Sequence, residues 1–210
     1  MEHAFWHERW EANQIGFHQA QVNALLADNL TALNLSPGAR VFVPLCGKTL
    51  DIAWLRDQGL RVAGAELSRL AVEQLFEGMS LTPEATEIGP LTLLSAGGVD
   101  IFVGDIFDLD AATLGAVDAV YDRAALVALP PEMRTLYAQH VPTITNGAPQ
   151  LLIAFTYDQS IMDGPPFSVP EDEIRTHYGE RFQLEAIASR PVEGGLKGIA
   201  PADATMWFLR

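Results

Sequence analysis

The chain alternates short apolar runs with amphipathic windows, and this alternation limits its fold more than any other feature of the sequence. Runs of this kind, bounded by turn or acidic residues, are typical of buried parallel strands. They span residues 41–45, 62–65, 101–103, 119–121 and 151–155. The windows at 50–58, 70–78 and 132–140 have the periodicity of crossover helices. The pattern predicts an α/β protein with a doubly wound, mostly parallel sheet.

Both ends of the chain depart from this alternation. Near the N-terminus, aromatic residues at helical spacing are followed by Gly16 and a second helical pattern, so we predict that residues 1–35 form a helical lid segment. Near the C-terminus, the strand-like runs 182–189 and 205–209 are separated only by a loop rich in Pro and Gly, which predicts antiparallel pairing at one sheet edge. Residues 91–94 and the run from Ile101 resemble a further hairpin. With 210 residues, we predict one domain, 1–210.

Charge and cysteine content exclude several classes of partner. The formal net charge is -14, from 27 acidic and 13 basic residues, which disfavours nucleic acid and anionic membrane surfaces. The sequence has no apolar run of membrane-spanning length and no secretory pattern at its start, so we predict a cytoplasmic protein. We also expect a monomer, although no sequence feature specifies the oligomeric state. Cys46 is the only cysteine and cannot form an internal disulfide; we interpret it as a small buried side chain.

The turn after the first predicted strand reads VPLCGKTLD and does not match a phosphate-binding loop. A nucleoside triphosphate loop needs a glycine at position 42, which is Phe42 here. A dinucleotide fingerprint also fails, because Gly47 is the only glycine between Val41 and Gly59. What is left is one glycine where the backbone can approach a ligand, and a helix that starts near residue 49 or 50.

Two acidic residues follow the next strands at spacings that suit a nucleoside. Glu66 lies about twenty residues after the first turn, where a carboxylate can accept both ribose hydroxyl protons. Asp105 and Ile106 follow the third strand, beside the expected place of an adenine ring. The alternatives are a helix cap for Glu66, since Ser68 follows it, and an ordinary turn for Asp105. Together they favour a nucleoside without phosphates, and S-adenosylmethionine is the obvious candidate.

Five segments of the sequence resemble the thiopurine S-methyltransferase family in its bacterial form. They are FWHERWEANQIGFH at 5–18, VFVPLCGKTLD at 41–51, GAELS at 64–68, GDIFDL at 104–109 and YDRAALVALP at 121–130. The resemblance implies a Rossmann-like, class I S-adenosylmethionine-dependent methyltransferase fold. It also implies methyl transfer from S-adenosylmethionine to the sulfur of aromatic or heterocyclic thiols such as thiopurines. Selenium or tellurium compounds are additional candidate acceptors.

Site residues follow from the resemblance position by position. Those that match the family's cofactor contacts are Trp10, Leu45, Glu66, Ile106 and Arg123, with Ile106 on the adenine side. Phe17 matches a substrate-side aromatic residue. Arg123 can hold an anionic acceptor, the cofactor carboxylate or a neighbouring acid, and the sequence leaves these open.

In-line displacement from a sulfonium needs neither a covalent nucleophile nor a metal, so we expect alignment to be the enzyme's main contribution. No metal site is predicted, because His3 and His7 have no third converging ligand in the sequence. The alternative to an enzyme is a non-catalytic module that binds S-adenosylmethionine or another nucleoside.

Overall fold

The computed structural model of the protein describes residues 3–12 and 19–210, with His3 described by its backbone alone. In these ranges the strands are β1 Arg40–Val43, β2 Arg61–Glu66, β3 Glu84–Ile88, β4 Leu91–Ala96, β5 Val99–Val103, β6 Ala119–Arg123, β7 Gln150–Thr156, β8 Leu184–Pro191 and β9 Asp203–Leu209. The helices are α1 His3–Glu11, α2 Ala24–Asn29, α3 Leu50–Asp57, α4 Arg69–Gly78, α5 Ala111–Leu114, α6 Pro131–Ile144 and α7 Glu171–Tyr178.

The strands form one nine-stranded sheet in the order β3-β4-β5-β2-β1-β6-β7-β9-β8. The five central strands, from β5 to β7, are parallel to one another, and the pairs outside them are antiparallel. The chain extends from β1 toward β2 and β5 on one side and toward β6 and β7 on the other. The carboxyl ends of β1, β2, β5 and β6 therefore meet at the point where strand order reverses, which is where ligands bind in open α/β sheets.

The central strands are covered on both faces, because their side chains alternate between two hydrophobic clusters. Phe42 packs into the cluster that includes Tyr137 of α6 and Ile174 of α7. Its neighbours Val41 and Val43 pack into the other cluster, with Ile52 of α3. The sheet is the middle of three layers, and its apolar strand runs reflect burial on both sides.

The predicted α/β architecture is confirmed, including the three crossover helices, the antiparallel C-terminal strands and the hairpin that leads into β5. The structure adds β3, whose exposed, acidic sequence EATEI does not resemble a buried strand. In the N-terminal segment, α2 is short and continues as a 3-10 helix over Leu30–Leu33. Gly16 lies outside the described residues, and the single-domain and lid assignments remain predictions. No helix within the described ranges is long and apolar enough to cross a membrane.

Candidate functional site

A cavity of about 1020 Å³ opens at the carboxyl edge of the central strands. The cavity is lined by the carboxyl ends of β1, β2, β5 and β6 and by the turns after them. Its lining residues there include Leu45, Glu66, Ile106 and Arg123. Trp10 of α1 covers one side. Every predicted site residue that the structure describes thus lines the same cavity. Phe17, the predicted substrate-side residue, lies outside the described residues.

The turn after β1 has a backbone shape that its sequence alone does not reveal. Leu45 and Gly47 both have left-handed φ angles, 46° and 54°. The N–H of Cys46 donates to the Ala65 carbonyl of β2 at 3.0 Å, so the turn is tied to the neighbouring strand. A Cβ atom on Gly47 would lie 3.1 Å from Cζ2 of Trp10. The glycine therefore provides both the φ angle and the space for the indole ring.

Glu66 connects this turn to the end of β2. Oε2 accepts the N–H of Gly47 at 2.7 Å, and Oε1 accepts the N–H of Ser68 at 2.8 Å. Burial raises the pKa of Glu66 above its ordinary value, while these N–H groups act in the opposite direction. The alternative of a helix cap does not describe Glu66, because the side chain is buried and the N-cap of α4 is Ser68. The carboxylate also lines the cavity.

Cys46 is a buried thiol at the edge of the same turn, in agreement with its interpretation as a small core side chain. Burial, and then the nearby Glu66 carboxylate, raise the pKa of the thiol well above its ordinary value. A cysteine nucleophile needs the opposite shift. Cys46 is therefore a poor candidate for covalent chemistry.

The turn after β5 forms the next part of the wall. Gly104 has a φ of 143°, and a Cβ there would lie 2.5 Å from Cδ2 of Leu91. Asp105 accepts the N–H of Phe107 at 3.0 Å and so caps the 3-10 helix Ile106–Asp108, which fits its interpretation as a turn residue. Nε2 of His140 lies 2.8 Å from the Ile106 carbonyl oxygen. These contacts hold the Ile106 backbone at the cavity wall.

The end of β6 carries Arg123 and a second strained turn. Ala124, the next residue, has a φ of 61°, which is rare for a residue with a Cβ. The preceding carboxylate, Asp122, is fully buried and accepts the hydroxyl of Tyr137 at 2.6 Å. The Asp122 side chain is thus hydrogen-bonded to α6, whereas Arg123 lines the cavity.

Two aromatic residues of α1 also contribute to the cavity. Trp6 and Trp10 both line it, and Trp10 is buried against Gly47. Nζ of Lys48 lies 6.0 Å from the Trp10 ring centroid and donates to the Gln74 side chain at 2.9 Å. Two of the N-terminal aromatic residues thus lie at the cavity, while their action as a lid remains a prediction. Among the described residues no group of three or more His, Cys, Asp and Glu side chains converges.

A further wall was missed by the sequence analysis. It comes from Pro165 and Pro166 and from the β8–β9 loop, including Leu196 and Lys197. Leu196 is fixed to Ala200 by a backbone N–H to carbonyl bond of 2.8 Å and packs in a small cluster with Tyr157 and Met162. Lys197 makes no hydrogen bond or ion pair with any residue of the described ranges. Its flanking glycines signal a loop in the sequence, but nothing local signals that the loop reaches the cavity.

Comparisons with known proteins agree with this geometry. The family model described as thiopurine S-methyltransferase matches residues 1–194. A thiopurine S-methyltransferase of Xanthobacter autotrophicus is 57% identical over 210 residues, covering 100% of this chain and 99% of the relative. One from Gluconobacter oxydans is 49% identical over 203 residues, covering 97% and 92%.

Solved structures show the same fold at low sequence identity. A SAM-dependent methyltransferase from Anabaena variabilis has a TM-score of 0.65 at 14% identity, covering 99% of this chain and 95% of that one. Magnesium protoporphyrin IX methyltransferase from Synechocystis, solved with bound S-adenosylhomocysteine, has a TM-score of 0.63 at 15% identity, covering 98% and 99%.

Proposed function

Because the chain belongs to the thiopurine S-methyltransferase family, we propose that it transfers a methyl group from S-adenosylmethionine to the sulfur of an aromatic or heterocyclic thiol. The observation that supports this most is the placement of the Glu66 carboxylate in a cavity wall beside the Gly47 turn. The alternative, a binding module without catalysis, is not favoured, since the family to which the chain belongs consists of S-methyltransferases.

The residues present fit a nucleoside cofactor. Each oxygen of Glu66 accepts one backbone N–H, and the N–H of Leu67 also stabilises the carboxylate. A carboxylate offers about four lone-pair sites, so capacity is left for a ribose hydroxyl. The cavity of about 1020 Å³ is large enough for a nucleoside together with a second small molecule. We assign Glu66 to the ribose, Leu45 and Trp10 to the cofactor's flank and Ile106 to the adenine.

When bound, S-adenosylmethionine supplies an electrophilic methyl group on a sulfonium. The chain's own residues bind, orient and exclude water, and holding two reactants in attack geometry contributes on the order of 7 to 11 kcal/mol. Trp6 and Trp10 line the cavity, and we expect them to limit the entry of water. Water exclusion favours a reaction in which an anion and a cation neutralise each other.

Two of the cations that line the cavity are our candidates for contacting the acceptor. Arg123 is the last residue of β6, and Lys197 lies in the β8–β9 loop. A guanidinium or ammonium near the acceptor sulfur stabilises the thiolate, the nucleophilic form, through a charge-assisted contact of roughly 1.5 to 3 kcal/mol. The site should therefore prefer thiols that ionise readily and are flat enough to stack on an aromatic ring.

A methyl-transfer assay with radiolabelled S-adenosylmethionine and a panel of acceptors tests the proposal. We expect 6-mercaptopurine to be methylated on sulfur far faster than 2-mercaptoethanol, and hypoxanthine hardly at all, because its oxygen is a poorer nucleophile. Equal rates for the aliphatic thiol and the purine would contradict the aromatic-acceptor assignment. Binding of S-adenosylhomocysteine without turnover of any thiol would favour the binding module instead.

The variant Arg123→Ala separates the two ligand-binding roles among the three left open for this residue. If Arg123 contacts the acceptor, kcat/KM for the purine falls while the Kd of S-adenosylhomocysteine changes little. If it contacts the cofactor carboxylate, that Kd rises as well. A cytoplasmic location, a monomeric state, the absence of nucleic-acid binding and the use of selenium or tellurium acceptors remain predictions from the sequence.

A further inference from the structure

The last residues of β6 are anchored to both helix layers of the fold. Tyr121 and Asp122 are adjacent, so their side chains leave the sheet on opposite faces. On one face, the Tyr121 hydroxyl donates to Oδ2 of Asp51 in α3 at 3.0 Å. On the other, Oδ2 of Asp122 accepts the Tyr137 hydroxyl of α6 at 2.6 Å. The strand that leads into Arg123 is therefore held from two sides.

The Asp122 carboxylate also holds the turn that follows. Its Oδ1 accepts the N–H of Leu126 at 3.2 Å, four residues further along the chain, and the N–H of Ala125 also stabilises it. Between them, Ala124 has the left-handed φ of 61°, which is unfavourable for a residue other than glycine. Such a conformation persists only where its surroundings impose it. Asp122 supplies the hydrogen bonds that do so here.

This turn forms much of one cavity wall. Arg123, Ala124 and Val127 all line the cavity. The carbonyl of Val127 accepts the N–H of Phe167 at 2.7 Å, which joins the turn to the segment that contains Pro165 and Pro166. A change in the turn would therefore move both Arg123 and the wall beside it.

We propose that Asp122 is a positioning residue for the acceptor side of the site: its ionised carboxylate fixes the turn at Ala124 and thereby places Arg123 and the adjoining wall for methyl transfer. Asp122 is buried behind the wall and acts through Arg123 and Val127. The proposal rests on the function proposed above for the same cavity.

Titration of Asp122 makes this role measurable. Burial raises the pKa of Asp122 to about 6, although the hydrogen bonds from Tyr137, Leu126 and Ala125 act to lower it. The other ionisable groups that interact with it are Tyr178 of α7 and, along β6, Tyr121. A protonated carboxyl accepts these hydrogen bonds more weakly. We therefore expect the turn to loosen, and acceptor kcat/KM to fall, as the pH drops through about 6.

A pair of matched tyrosine variants tests this directly. The acceptor should be a thiol acidic enough to stay ionised over the whole range, such as 4-nitrobenzenethiol, so that its own titration does not contribute. Tyr137→Phe removes a hydrogen bond that lowers the Asp122 pKa, so the low-pH inflection in kcat/KM should move to higher pH. Tyr121→Phe removes an equivalent buried hydroxyl bond to Asp51 and should leave the inflection in place. An inflection that moves equally in both variants, or in neither, contradicts the proposal.

Asp122→Asn with a rescue variant provides the second test. Misplacement of a reacting group can cost up to about a hundredfold in rate, and we expect a ten- to hundredfold loss of acceptor kcat/KM with no inflection near pH 6. Adding Ala124→Gly should restore part of the loss, because glycine adopts a φ of 61° without strain. An Asp122→Asn enzyme with the wild-type profile overturns the inference.

The Leu126 amide gives a readout that does not depend on activity. In a two-dimensional NMR titration of the wild type, the Leu126 amide resonance should shift with a midpoint near the Asp122 pKa of about 6, and this shift should vanish in Asp122→Asn. If no thiol is methylated, the proposed function fails while the titration still decides the Asp122 contact. A Leu126 amide that does not titrate overturns the positioning role.

Discussion

Replacing Glu66 by Gln should weaken the binding of S-adenosylhomocysteine more than its small change in shape suggests. Both carboxylate oxygens accept buried backbone N–H groups, from Gly47 at 2.7 Å and Ser68 at 2.8 Å. In Gln one of these oxygens becomes an NH₂ group. In either orientation of the amide, one backbone N–H then faces another donor. The variant thus loses a charged acceptor for the ribose and disturbs the Gly47 turn as well.

The magnitude follows from these two losses. A hydrogen bond to a charged group contributes about 1.5 to 3 kcal/mol, and a buried donor without a partner costs about 1 to 3 kcal/mol. Since part of the second cost also destabilises the free protein, we expect a binding loss of about 2 to 4 kcal/mol, roughly a 30- to 1,000-fold rise in Kd. Isothermal titration calorimetry at neutral pH measures it, and ATP should not compete.

Glu173→Gln is a matched control for this experiment. The Glu173 carboxylate pairs with Arg134 at 2.8 Å and with His177 at 3.2 Å, and it does not line the cavity. Its loss should lower the free energy of unfolding and leave the Kd of S-adenosylhomocysteine within about twofold of wild type, since remote sites act independently. An unchanged Kd in Glu66→Gln, or equal losses in both variants, would refute the assignment of Glu66 to the ribose.

Three further outcomes are expected. Cys46→Ser should keep most of the methyltransferase activity, and native Cys46 should react slowly with iodoacetamide at neutral pH because burial raises the pKa of its thiol; a methylated Cys46 found by mass spectrometry during turnover would argue for a covalent route. Gly47→Ala should raise the Kd of S-adenosylhomocysteine by about tenfold or more, since alanine is strained at a φ of 54° and its Cβ would lie 3.1 Å from Trp10; an unchanged Kd by calorimetry would show that the turn adapts. Folding raises the pKa of Asp122 from its ordinary 3.8 to about 6, because burial disfavours the ionised carboxylate. Its contribution to the free energy of unfolding is therefore complete below pH 3.8 and is lost as the pH rises through 6, a difference of about 3 kcal/mol. Chemical denaturation from pH 4 to 7 should show this loss in the wild type and not in Asp122→Asn.

Much of the fold was predictable because its central strands are buried on both faces. Such strands are continuous apolar runs, and the helices between them retain a clear period. Strand β3 was not predictable in this way. It is a sheet-edge strand whose residues Glu84 and Glu87 face water, and acidic residues at an edge oppose further pairing of strands.

The candidate site was predictable where it follows strand ends. Glu66 and Arg123 come directly from the carboxyl ends of parallel strands, so their convergence follows from topology alone. Lys197 differs, because its place depends on the packing of Leu196 against Tyr157 and on the pairing of Leu196 with Ala200. These contacts join segments far apart in sequence, and no local pattern carries them. The left-handed φ of Leu45 was hidden for a similar reason, since leucine is not a residue that predicts it.

The turns after β1 and β6 are stabilised in the same way, by a buried carboxylate that accepts a backbone N–H of a turn with a left-handed residue. After β1, Leu45 is left-handed, and Glu66 from the neighbouring strand accepts an N–H of that turn. After β6, Ala124 is left-handed, and Asp122 accepts an N–H of its turn. Both carboxylates are buried, and burial raises the pKa of each. They hold their turns best when ionised, so acid should weaken the two halves of the site through different groups.

This separation has a kinetic consequence. Protonation of Glu66 should raise the Kd of S-adenosylhomocysteine, whereas protonation of Asp122 should lower kcat/KM for the acceptor at saturating cofactor. A single low-pH limb in activity measured at limiting cofactor would then be the sum of two titrations. Saturating the enzyme with S-adenosylmethionine should remove the Glu66 component and leave the Asp122 component, because a bound cofactor favours the ionised form of the carboxylate that it contacts.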